Sequence, residues 1–308
     1  MKRIDVCLAC DDNYSKMAAA VILSALDNKN NDDELVFHIL HANLSDAAKE
    51  FLRSLGNVEL HKVDNSLFEP YFNNGVCKHV SIPTLYRLIL PSLLPQIDKI
   101  IYLDCDLVVL KSLSPLFDSV SNDDNYIAAA CVDYAQKHHY ERMNFVKTDD
   151  NFYFNAGVIL FNLKKMREEN TQDKLFNYLK ENFEHLSYSD QDVLNAVLFE
   201  RVKKLPQEFN LLTPNIYFEN TQDTTIAHFA GVKPWKVGFY NPYRELYWKY
   251  FIQAGADVKK FNQIKFWHKR IMQYFFYIKM YPLFFIKEDR RHNFMRIVKN
   301  IPWNFIVG

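Results

Sequence analysis

The sequence predicts an α/β protein built on a doubly wound, mainly parallel sheet. Three observations lead there. Strands and helices alternate over residues 4–63, a buried apolar run at 99–103 ends in Asp104-Cys105-Asp106, and the basic, aromatic residues gather beyond 257. Strand–helix–strand–helix–strand in succession favours parallel pairing, because each crossover helix returns the chain to the same end of the sheet.

Residues 4–9 alternate and are apolar, a first strand ending at Asp11-Asp12-Asn13-Tyr14. A helical pattern through Met17, Val21, Ile22 and Leu26 follows, then a second strand at 35–40. Ser45 is a natural N-cap for a helix over 46–55, and 58–63 reads as a third strand. Residues 64–81, with Pro70, Asn73, Asn74 and Gly75, lack a period and read as a long loop. Pro83 opens a helix carrying Tyr86, Arg87 and Leu90, and 99–103 is a buried strand. A strand at 125–132 and a second long loop at 133–151 come next. Phe154-Asn155-Ala156-Gly157 then leads into a strand at 158–161. Helices near 173–183 and 190–199 precede a strand at 202–205. Ile226-Ala227-His228 and a helix near 242–252 close a first domain, 1–256, and leave 257–308 as a separate tail.

Composition narrows the function. In 308 residues, 37 Lys or Arg balance 37 Asp or Glu, so no net field favours nucleic acid. Only seven glycines are present, and neither G-x-G-x-x-G nor G-x-x-x-x-G-K-[ST] occurs. Dinucleotide-binding Rossmann enzymes and P-loop NTPases are thereby disfavoured. Cys7 and Cys10 have the C-x-x-C spacing of redox and zinc sites. In a strand, residues three apart point to opposite faces, and no second pair follows, so buried thiols are expected. Unpaired cysteines, no signal-peptide run and no apolar stretch near ~18 residues together predict a cytoplasmic location.

Asp104 and Asp106 stand two apart at the end of an apolar strand, so both carboxylates share one face. Two poorly solvated carboxylates want a counter-ion, and oxygen ligands suit Mg²⁺ or Mn²⁺ bridged to substrate phosphates. An acidic turn is the plain alternative. Phosphoryl transfer is another use of D-x-D, but it usually places the pair on the first strand before a hydroxyl residue, and Leu107-Val108 follow here. His228 ends another apolar segment and begins His228-Phe229-Ala230-Gly231-Val232-Lys233-Pro234-Trp235. That block offers a metal ligand, a glycine for close backbone approach and a lysine of the right charge for a diphosphate. Asp11, Asn13 and Tyr14 lie at the carboxyl end of the first strand, where open α/β sheets bind ligands. Ser189-Asp190 also reads as a helix N-cap with an acidic first turn. His138-His139 sits in a polar loop and reads as solvated.

In this order, several blocks resemble glycosyltransferase family 8, the bacterial lipopolysaccharide galactosyl- and glucosyltransferases and their glycogenin relatives. They are Asp11 to Tyr14, His79-Val80-Ser81 with Tyr86-Arg87, Tyr102 to Asp106, Phe154 to Val158, Ser189-Asp190-Gln191-Asp192, and His228 to Trp235. The resemblance implies a GT-A fold and a retaining transfer of glucose or galactose from a UDP-hexose to a saccharide or lipid-linked saccharide. It implies that Asp104, Asp106 and His228 coordinate Mn²⁺ (or Mg²⁺) and that Gly231 and Lys233 meet the diphosphate. Ala9, Asp11, Asn13 and Tyr14 would hold uracil and ribose. Arg87, Asn155, Gly157, Asp190 and Gln191 would surround the donor sugar, with Asp190 and Gln191 nearest the chemistry, and Asp133 would contact donor or acceptor. One departure is visible: the family's closing block often has two residues between glycine and lysine, and here only Val232 intervenes. A catalytically silent nucleotide-sugar or glycan binder is the alternative from another class.

The tail carries eleven Lys or Arg against three acids from 257 to 308, interleaved with Phe, Trp and Tyr. That pattern, expected to be helical, suits the surface of an anionic membrane, where lipid-linked acceptors reside. Helices packed on the core are the plainer reading.

Overall fold

The computed structural model describes residues 1–71, 82–121, 125–133, 152–198, 200–212, 223–231, 233–235 and 243–257. His79 to Ser81, His138-His139, most of 133–151, Val232 and the tail beyond Asp257 lie outside them.

The first strand β1 (Lys2–Ala9) gives way to α1 (Ser15–Asp27), β2 (Asp33–His41), α2 (Asp46–Arg53) and β3 (Val58–Lys62). As expected, the Ser45 side chain accepts a bond from the Ala48 N–H and caps α2. Residues 65–67 and 69–71 are short 3₁₀ turns rather than plain loop. The helix expected after Pro83 is also 3₁₀, over Ile82–Ile89, before α3 (Leu90–Leu93). Pro91, in the first turn of α3, has no N–H to return to the Arg87 carbonyl, so no α-type bond carries the segment into α3 at that point.

Next come β4 (Lys99–Leu103), β5 (Leu107–Val109), α4 (Ser114–Phe117), β6 (Ala128–Val132) and β7 (Phe154–Asn162). They are followed by α5 (Leu163–Glu168), α6 (Thr171–Asn182), α7 (Ser189–Val197), β8 (Val202–Leu205), β9 (Leu211–Leu212), β10 (Ile226–His228) and α8 (Arg244–Gln253). Two differences from expectation concern the site. Phe154 to Gly157 belong to β7 itself, not to an approach to it. Ser189 is not the cap of α7: it is the first helical residue, buried, with a left-handed φ of 43°. The cap function falls to Asp192, whose Oδ2 accepts from the N–H groups of Ser187 and Tyr188 at 2.8 and 2.7 Å.

The large sheet runs β3-β2-β1-β4-β7-β6-β8, parallel except for β7, which is antiparallel to both neighbours. A small sheet, β5-β10-β9, stands beside it. Alternation along the strands sorts the core. Ile4, Val6, Leu8, Ile101 and Leu103 face α1 and α8. Cys7, Ile100 and Tyr102 face the 3₁₀ segment, α6 and α7. Cys7 and Cys10 therefore lie in opposite cores as free, buried thiols, and burial pushes Cys10 up to about 12. This agrees with a structural reading of the C-x-x-C.

Sheet order reverses between β1 and β4, so the crevice beyond their carboxyl ends is the switch point. No helix among the described residues is long and apolar enough to cross a membrane.

Candidate active site

The chain leaves β4 at Asp104 and enters β5 just after Asp106, placing both carboxylates at the switch point. His228 arrives from the small sheet, paired with Leu107 across β5 and β10. Its Nε2 lies 3.3 Å from Asp106 Oδ1 and 3.8 Å from Asp104 Oδ2. The Phe229 N–H donates to the Asp106 carbonyl at 2.8 Å and locks the two segments together.

A chain of hydrogen bonds decides which imidazole nitrogen faces the carboxylates. The Gly157 N–H must donate, so the Asn155 atom 3.0 Å away is Oδ1. That oxygen also accepts from Asn210 Nδ2 at 3.0 Å, which turns Asn210 Oδ1 toward His228 Nδ1, again at 3.0 Å. Nδ1 therefore carries the hydrogen, and in the neutral ring Nε2 presents a lone pair to two carboxylates. Three lone-pair donors facing one another in a buried pocket fit a divalent cation, with mixed oxygen and nitrogen ligands. Gly157 supplies the room. A Cβ there would stand 2.3 Å from His228 Cε1 and 2.6 Å from Asp104 Oδ2.

Lys233 closes the cluster by pairing with Asp106 Oδ2, so the shortened Gly231–Lys233 spacing does not keep it out. Burial pushes the Asp106 carboxyl up, but the Lys233 ammonium beside it outweighs that and holds it well below the usual carboxylate range. Lys233 is lowered by burial and raised more by Asp106, so it remains an ammonium. Gly231 is exposed, with φ +84°, and nothing lies within 4 Å of where its Cβ would be.

Arg87 occupies the centre of the adjoining wall, fully buried. Its Nη2 bonds Asp104 Oδ1 at 2.8 Å, its Nε lies 3.1 Å from Asp190 Oδ2, and it also donates to the Thr84 and Ala156 carbonyls. The guanidinium lies 4.1 Å from the centre of the Tyr102 ring, a cation–π contact. Burial raises Asp190 to about 6, Arg87 opposing and Asp104 adding to the rise. Gln191 Oε1 accepts from the Ala156 N–H at 3.0 Å and from Asn155 Nδ2 at 3.3 Å. Asp133 Oδ2 lies 3.2 Å from Asn155 Nδ2 and 3.5 Å from Gln191 Nε2. These residues meet because β7 slips its register against β6 between Ala130 and Val132, leaving 155–157 to turn polar groups toward the crevice.

The β1 side is looser. The Cys105 thiol donates to the Ala9 carbonyl at 3.3 Å, which sets the end of β1 beside the aspartate pair. Asp11 Oδ1 accepts the Tyr14 N–H at 2.9 Å, and the Tyr14 ring meets Trp235 edge-on at 5.8 Å. Asn13 stands exposed in the same turn.

Thus Asp104, Asp106, His228, Lys233, Arg87, Asp190, Asn155, Gly157, Gln191 and Asp133 form one connected cluster, flanked by Ala9, Asp11 and Tyr14. Sequence reasoning missed Asn210 and Asn195. Asn210 sits in no motif, and its only signal is a polar residue set among Phe209, Leu211 and Leu212. Asn195 docks α7 on β7, exchanging bonds with both backbone groups of Phe154 at 2.8 and 2.9 Å.

The fold is shared with solved glycosyltransferases. The galactosyltransferase LgtC, solved with donor and acceptor sugar analogs, superposes with a TM-score of 0.74 at 26% identity, covering 84% of this chain and 99% of that one. The chain belongs to glycosyl transferase family 8, whose sequence pattern matches residues 5–237. General stress protein A of Bacillus subtilis (strain 168) is 28% identical over 78% of this chain and 90% of its own length. Lipopolysaccharide 1,2-glucosyltransferase of Escherichia coli is 29% identical over 73% and 71% respectively.

Proposed function

We propose that this glycosyltransferase moves glucose or galactose, with retention of configuration, from a UDP-sugar to a cell-surface glycan or lipid-linked saccharide. The tautomer of His228 carries the metal half of the reading, since it aims a lone pair at two carboxylates. Asp104, Asp106 and His228 would hold Mn²⁺ (or Mg²⁺), which supplies positive charge where the leaving diphosphate becomes negative. Lys233, kept as an ammonium beside Asp106, would add charge on the same side. Ala9, Asp11, Asn13 and Tyr14 would take uracil and ribose at the end of β1, and Gly231 would let backbone approach the diphosphate.

Arg87, Asn155, Gly157, Asp190 and Gln191 would surround the hexose, with Asp133 toward donor or acceptor. Asp190 is held by Arg87 at 3.1 Å, and the Gln191 amide is engaged by β7. Neither is poised as a free nucleophile. Retention then favours attack on the face from which UDP departs, with a UDP oxygen taking the acceptor proton. The basic, aromatic stretch 257–308 would hold the enzyme peripherally at an anionic cytoplasmic membrane. The galactosyl- and glucosyltransferase neighbours support a hexose and a glycan acceptor.

Full-length protein incubated with UDP-glucose or UDP-galactose, Mn²⁺ and a panel of saccharide acceptors should give an α-linked product by NMR. A β-linked product contradicts retention, and no transfer or hydrolysis with any UDP-sugar contradicts the donor.

A further inference from the structure

At the other side of the large sheet, edge strand β3 carries Glu59 and His61 on one face. Parallel pairing sets Glu59 opposite His38 of β2 and His61 opposite Leu40, so the three side chains meet at the rim. His38 Nδ1 lies 3.0 Å from His61 Nε2 and 3.5 Å from Glu59 Oε2, and His61 Nε2 lies 3.8 Å from the same oxygen. The geometry points to a second metal centre: His38, Glu59 and His61 bind one divalent ion of the zinc class, apart from the Asp104–Asp106–His228 cluster.

Three arguments carry it. The first is spacing. Ligand atoms at about 2.0–2.1 Å from a tetrahedral zinc stand roughly 3.3 Å apart. The three separations bracket that value and need only small side-chain shifts. The second is the tautomer. His38 Nε2 lies 2.9 Å from Asp5 Oδ1, so Nε2 carries the hydrogen and Nδ1 offers its lone pair to the rim. Asp5 is itself gripped by Arg3, at 2.8 Å from Nη2 and 3.0 Å from Nε to Oδ1, and 3.2 Å from Nε to Oδ2. Carboxylate–histidine pairs of this kind fix the ring and raise the basicity of the other nitrogen toward a metal.

The third argument is donor chemistry. Two imidazoles and one carboxylate suit Zn²⁺, whereas hard Mg²⁺ and Mn²⁺ prefer oxygen-rich sets. The half-exposed Glu59 leaves a fourth position open to water. In the large sheet β3 lies three strand spacings, about 14 Å, from β4, whose end carries the first cluster. A metal here would tie the edge strand β3 to β2, where each strand otherwise relies on its ladder.

The test uses full-length protein, stripped with chelator and titrated with Zn²⁺ by calorimetry, with bound metal counted after gel filtration. The wild type should bind one equivalent more than His61→Ala, and Zn²⁺ should raise its thermal midpoint more. Glu59→Gln, at an exposed position, should weaken the same equivalent at least tenfold while remaining folded by circular dichroism. Asp5→Asn, which loosens the His38 ring, should weaken it about ten- to hundredfold. Mn²⁺-dependent sugar transfer should be unchanged in His61→Ala. Equal Zn²⁺ stoichiometry and affinity in the wild type, His61→Ala and Glu59→Gln would overturn the proposal and leave only a hydrogen-bonded network.

Discussion

Asn210 governs the active-site cluster without touching either carboxylate. Its amide is oriented by a relay that starts at the Gly157 N–H, and it in turn orients His228. Removing it in Asn210→Ala should weaken Mn²⁺ binding about ten- to hundredfold by calorimetry, while the fold survives. Asp190 belongs to the same scale. Its folded pKa of about 6 is above the unfolded 3.8, so the folded state binds the extra proton between those values. The stability linked to that proton is full below about 4 and is lost as pH rises through about 6. Activity should run the other way: kcat/KM should fall as pH drops through about 6, when protonation weakens the grip on Arg87. A pH profile of transfer measures it, and Asp190→Asn should lack that inflection. The carboxylate pair, His228 and Lys233 were legible in the sequence because period two and strand ends place them. Asn210 was not, because its role exists only once β9 and β10 lie side by side.

Among elements, α7 and β7 act as one unit. Asp192 caps the helix and also accepts from the buried Tyr153 hydroxyl at 2.5 Å, while Asn195 mimics a strand partner for Phe154. Asp192→Ala should cost about 2–3 kcal/mol in urea unfolding, since the buried Tyr153 hydroxyl and the N–H groups of Ser187 and Tyr188 lose their bonds to the carboxylate. A loss under ~0.5 kcal/mol would show that the cap is not structural. Most strands and helices were readable from periodicity. Those misread had local signals overruled by tertiary context. Phe154 to Gly157 resembled an approach to a strand because a glycine and an asparagine usually weaken β-structure, yet β4 and α7 supply partners there. Ser189 resembled a cap by type, but its left-handed backbone hands the task to Asp192. The segment after Pro83 has helical amphipathicity, which a 3₁₀ turn shares, and Pro91 interrupts the α-type bonding where it meets α3.

For the whole molecule, the switch point between β1 and β4 explains why blocks scattered from Asp11 to Lys233 converge. Strand alternation dictated that convergence, whereas strand β7, reversed in a parallel sheet, left no mark in the sequence. The basic stretch beyond 257 makes its own expectation. Full-length protein should sediment with vesicles containing phosphatidylglycerol and not with phosphatidylcholine alone. Changing Lys259, Lys260, Lys265 and Lys269 to Glu should release it, as should high salt. Binding indifferent to salt and to those changes would remove the electrostatic account.

The central claim is that Asp104, Asp106 and His228 hold the ion on which sugar transfer depends. The most direct measurement is release of UDP from UDP-glucose and UDP-galactose by metal-stripped protein as Mn²⁺ is added back, in the wild type and in Asp106→Asn. The wild type should be silent without metal and recover with a saturating Mn²⁺ dependence, and Asp106→Asn should lose at least ~100-fold, in keeping with the several kcal/mol a bound metal supplies. UDP release at the same rate with and without metal, or an undiminished Mn²⁺ response in Asp106→Asn, would contradict it.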